Sequence, residues 1–87
     1  MGMIARKITY TGTLDIAAAE VIYDIVRKIE ITGEVHFNAP GKVVLDLEGD
    51  PSMIKLVQHQ VERRVDGLNK EVTQLPFKNY QGLDFFR

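Results

Sequence analysis

Residues 34–48 read Glu-Val-His-Phe-Asn-Ala-Pro-Gly-Lys-Val-Val-Leu-Asp-Leu-Glu. Apolar and polar residues alternate on both sides of Ala39-Pro40-Gly41. Alternation is the signature of a strand with one buried face, and Pro-Gly between two such runs marks a hairpin turn. The spacing predicts one strand over Glu34–Asn38, with Val35 and Phe37 on one face and Glu34 and His36 on the other. It predicts a second over Lys42–Glu48, with Val43, Leu45 and Leu47 opposite Val44, Asp46 and Glu48.

Past the hairpin, Gly49-Asp50-Pro51 is a helix start. Asp50 caps, and Pro51 suits the first helical position because its missing N–H would be unpaired there. Met53, Ile54, Leu56, Val57, Val61 and Val65 form the apolar stripe of a helix that Asp66-Gly67 stops. Leu68–Leu75 is a strand, residues 76–81 a loop, and Leu83–Phe86 a short last strand. Before the hairpin, Met3–Thr11 is a strand closed by Gly12. A helix then runs to about Ile29, capped by Asp15 or Thr13, with Ala18, Val21, Ile22, Ile25, Val26 and Ile29 buried. Thr32-Gly33 is the expected stop of that helix. The order is β-α-β-β-α-β-β. It predicts an α+β, ferredoxin-like split βαβ sandwich: two helices on one face of a four- to five-stranded, mainly antiparallel sheet, with strands one and three central.

The 87 residues make a single domain, 1–87, and 45% apolar content suits a globular core. With no cysteine, disulfides and thiolate chemistry are excluded. A net charge of −1 gives no field that would gather nucleic acid, and no apolar run is long enough to cross a membrane. With no disulfide and no leader-like segment, a cytoplasmic location is expected.

The junction Thr11-Gly-Thr-Leu-Asp-Ile-Ala-Ala-Ala-Glu20 joins the first strand to the first helix. Backbone N–H groups and a helix N-terminus converge at such a place, so Thr11, Gly12, Thr13, Asp15, Ile16 and Ala17 are the candidate anion-binding residues. Asp15 is read first as an N-cap, and Glu20 as a carboxylate favoured by the helix dipole. His36 and His59 are the only histidines. No H-x-x-x-H or His–carboxylate spacing is recognised between them, so no metal and no cofactor are expected. Ser52 is a helix-start residue. Phe37 and Phe85 are read as core; Phe86 and Val44 leave an apolar spot on the open sheet face, suited to self-association.

Four short segments resemble the acylphosphatase family across the whole chain. Ile8–Gly12 resembles its first strand. Thr32-Gly33-Glu34-Val35, with Pro40-Gly41-Lys42-Val43, resembles its hairpin. Glu48-Gly49-Asp50 resembles its lead into the second helix, and Tyr80–Phe85 its last strand. The resemblance implies cleavage of carboxyl-phosphate anhydrides. It implies a glycine-rich loop of N–H donors after strand one, an arginine gripping phosphate, and an asparagine on the second strand orienting water. This chain departs from that pattern. Its loop is one residue shorter, the arginine position falls on Glu20 or Val21, and the asparagine position falls on Phe37, with Asn38 next to it. The expectation is a binding or assembly module without hydrolase activity, with itself as a homodimer or another protein as partner. The alternatives are an active acylphosphatase with a rearranged site using Asn38, and a small-anion or metabolite sensor.

Overall fold

The structure is a computed structural model that describes residues 2–87. Its elements are β1 (Ile4–Thr11), α1 (Ile16–Ile29), β2 (Thr32–Ala39), β3 (Lys42–Gly49), α2 (Pro51–Arg64), β4 (Asn69–Gln74) and β5 (Leu83–Phe86). The order expected from the sequence is the order found. One five-stranded sheet runs β4-β1-β3-β2-β5, with β1 and β3 at its centre. Among the described residues, only the β2–β5 pair is parallel.

Register explains which residues form the core. Ile8 faces Leu45, Tyr10 faces Val43, and Val35 faces Leu45 on the helix side of the sheet. These residues are fully buried together with Leu47, Ile22, Val26, Val57 and Val61. Burial of each large side chain contributes roughly 1.5–3 kcal/mol. β4 is an edge strand with every residue exposed, so its contribution comes mainly from pairing with β1.

α1 starts where Asp15 accepts the Ala18 N–H at 2.9 Å, which decides the cap in favour of Asp15 over Thr13. Its end differs from expectation. Glu30, in the left-handed conformation with φ 62°, terminates it, and Thr32 and Gly33 already belong to β2. Gly33 has another role. At φ 148° its Cα lies against β3, and a Cβ there would run into the Asp46 carbonyl oxygen. Two positions of the expected helical stripes also turn outward: Val21 and Leu56 are 37% and 42% exposed. Ala19 is buried on α1 instead, because the sheet meets a narrower strip of each helix than the apolar pattern covers.

β4 and β5 lie on opposite edges, so the chain between them has to cross the end of the sheet. Glu48, at the end of β3, holds that crossing. Only 3% exposed, its carboxylate accepts the N–H groups of Lys78, Asn79 (3.1 Å) and Tyr80 (2.9 Å). Burial pushes the Glu48 carboxyl up, but the three N–H donors, helped by the Lys78 charge, outweigh it and hold the group below the usual carboxylate range.

Candidate functional site

The junction between β1 and α1 is built from backbone hydrogen bonds to the hairpin tip. The Gly12 N–H donates to the Gly41 carbonyl at 3.1 Å, and the Gly41 N–H donates to the Leu14 carbonyl at 2.8 Å. The Leu14 N–H turns back onto the Gly12 carbonyl at 3.0 Å, while the Leu14 side chain is buried. Thr11, Gly12, Thr13, Asp15, Ile16 and Ala17 are all exposed. The Gly12 and Leu14 donors are therefore committed within the fold. The helix N-terminus beside them already carries the Asp15 carboxylate, which competes with any second anion.

Glu20 is exposed on the second turn of α1 and pairs with Arg87 at 3.8 Å. That guanidinium lies 5.8 Å from the Phe85 ring, which stacks on Tyr23 at 5.1 Å. Phe37 is partly buried and packs against the core, as expected. Asn38 is exposed and falls in a β-bulge, where the β2–β3 register shifts between His36 and Ala39. It lines a shallow pocket of about 200 Å³ with His36, Ala39, Lys42 and Val44. Among the described residues, none of the candidate anion-binding residues is in the lining of this pocket.

The comparisons with known proteins concern the fold. No protein-family model matches the chain, and no curated protein matches it by sequence. Solved structures do. An acylphosphatase from Coxiella burnetii superposes with a TM-score of 0.82 at 15% identity, over 95% of this chain and 92% of that one. The fold is the acylphosphatase fold. An acylphosphatase from Bacillus subtilis agrees, with a TM-score of 0.77 at 14% identity over 97% and 98% of the two chains. Full-length HypF, solved in a phosphate- and nucleotide-bound form, matches with a TM-score of 0.83 at 18% identity. There the match covers 97% of this chain but 12% of the HypF chain. Among the described residues, no helix is long and apolar enough to cross a membrane.

The acylphosphatase-like sheet also carries a cluster that the sequence reading missed. His36 Nε2 lies 3.0 Å from Glu34 Oε1. Asp46 stands directly opposite Glu34 on β3, and one ligand atom from each of Glu34, His36 and Asp46 falls within 4.8 Å of the others. The sequence reading weighed spacing only between His36 and His59; Glu34 and His36, two apart, share one strand face beside Asp46. That spacing was visible in Glu34-Val-His36; the third member needed the strand register.

Proposed function

We propose that this acylphosphatase-like domain does not hydrolyse acyl phosphates and works as a binding or assembly module. One observation carries the reading. Asp15 places a carboxylate on the N-terminus of α1, accepting the Ala18 N–H, where the resemblance implies a phosphate. A phosphate there would have to displace or lie beside a like charge. The arginine position does not compensate, because Glu20 is an acid and Val21 is apolar. In full-length HypF a domain of this fold makes up 12% of a longer chain, and use as one part of a larger assembly is the role proposed for this chain. The partner is a second copy of the chain or another protein. Phe86, 42% exposed, and Val44 supply the apolar spot for self-association.

The test is release of phosphate from benzoyl phosphate, expected not to exceed the buffer control. A second reading, an active enzyme with a rearranged site, is favoured only by the bulge that presents Asn38. It requires turnover that is saturable and abolished in Asn38→Ala. Light scattering across concentrations tests self-association, and a strict monomer removes it.

A further inference from the structure

We propose that Glu34, His36 and Asp46 bind one divalent transition-metal ion, Zn2+ in the first instance, on the open face of the sheet. The three residues supply one imidazole nitrogen and two carboxylates from adjacent strands. Their ligand atoms lie within 4.8 Å of one another, and the Glu34–His36 pair is already at 3.0 Å. Ligands around a tetrahedral ion with bonds of about 2.0–2.1 Å stand roughly 3.3–3.5 Å apart. Side-chain rotation of about an ångström therefore closes the set, with no change in strand register.

An independent observation points to a ligand at this place. Asp46 is only 8% exposed, and its Oδ1 has no hydrogen-bond partner among the described residues. A buried carboxylate oxygen without a partner is costly, and a bound cation would remove that cost. The Tyr80 hydroxyl is likewise buried without a partner.

The surroundings favour a cation over an anion or a neutral ligand. Register aligns Lys7, Asp46, Glu34 and Asp84 in one row across β1, β3, β2 and β5, three carboxylates against one ammonium. Among the described residues, Lys7 makes no ion pair within 4.0 Å. The mixed nitrogen and oxygen set suits zinc-like ions better than calcium or magnesium, which prefer oxygen alone. The Phe86 ring stacks on His36 at 4.8 Å and 12°, which fixes the imidazole plane. Three protein ligands leave a fourth position open to water.

The experiment is isothermal titration of the chelator-treated full chain with zinc chloride, backed by the visible absorption of the Co2+ form. Wild type is expected to bind one ion per chain. His36→Gln and Asp46→Asn each weaken binding at least about tenfold, and His36→Gln also removes the Co2+ band. His59→Gln, on the far helix, leaves both readouts unchanged. If Asp46→Asn does not fold, the half-buried Glu34→Gln takes its place with the same expectation. Absence of zinc uptake overturns the proposal, as does uptake unaffected by His36→Gln or lost in His59→Gln. The readout is binding and not turnover, so its outcome is separate from the question of hydrolysis.

Discussion

Glu48 offers the sharpest test of how this small sheet is held together. Three backbone donors, from Lys78, Asn79 and Tyr80, converge on one carboxylate that is 3% exposed. Glu48→Gln keeps the shape, loses the charge, and turns an amide NH2 toward groups that can only donate. A charge-assisted bond contributes about 1.5–3 kcal/mol against about 1 for a neutral one. Three shared bonds, not fully additive, then give a loss of about 2–4 kcal/mol. With a urea m-value of about 1 kcal/mol/M for a chain of this size, the midpoint falls by roughly 2–4 M. Amide exchange at Lys78, Asn79 and Tyr80 accelerates more than exchange in β1 or β3. The pH dependence follows the same group. Its folded pKa is lowered, so its contribution is complete above the unfolded glutamate value of about 4.3 and is lost as pH falls through the folded value. The variant lacks that part of the acid dependence. A midpoint unchanged within about 0.5 M, that is about 0.5 kcal/mol at this m-value, with loop amides still protected, refutes the idea that this carboxylate pins the crossing.

Three further outcomes follow from the packing. Gly33→Ala drives a methyl group into the Asp46 carbonyl at a positive φ; the cost is on the order of 3 kcal/mol or more. Thermal unfolding then drops by about 12 °C or more, and an unchanged melting temperature contradicts the close β2–β3 approach. Asp15→Ala removes the α1 cap and costs about 1 kcal/mol by urea denaturation, with no gain of benzoyl phosphate turnover; a stability change near zero means the cap contributes nothing. Tyr10 donates to Glu62 at 3.3 Å, and burial, then the Glu62 charge, raise its pKa well above the usual phenol value. Stability therefore declines as pH rises past the unfolded value of about 10. Tyr10→Phe should flatten that decline in alkaline urea titrations, and an identical alkaline slope in the variant argues against it.

Much of the architecture was legible because its signals are local. Pro40-Gly41 between two alternating runs, and Asp50-Pro51 before an apolar stripe, each describe a few neighbouring residues and a backbone geometry they favour. Asp15 was readable as a cap for the same reason. The features that sequence missed are those set by contacts across the sheet. Nothing local to Gly33 says that a β3 carbonyl lies against it, so its glycine read as a helix stop, while Glu30 took the left-handed position. Val21 and Leu56 fit helical periodicity but fall beyond the strip that the sheet covers. At the candidate site the same division holds. The missing arginine was visible in the letters Glu20 and Val21. The meeting of Glu34 and His36 with Asp46 depended on one register pair, Glu34 opposite Asp46, which alternation alone does not specify.

The acylphosphatase fold is present, and loss of acyl-phosphate hydrolysis is what we propose for it. The most direct measurement is benzoyl phosphate hydrolysis by the purified chain, run beside an active acylphosphatase as positive control. The account predicts phosphate release indistinguishable from buffer at every substrate concentration. Saturable turnover that scales with the amount of this chain would contradict it.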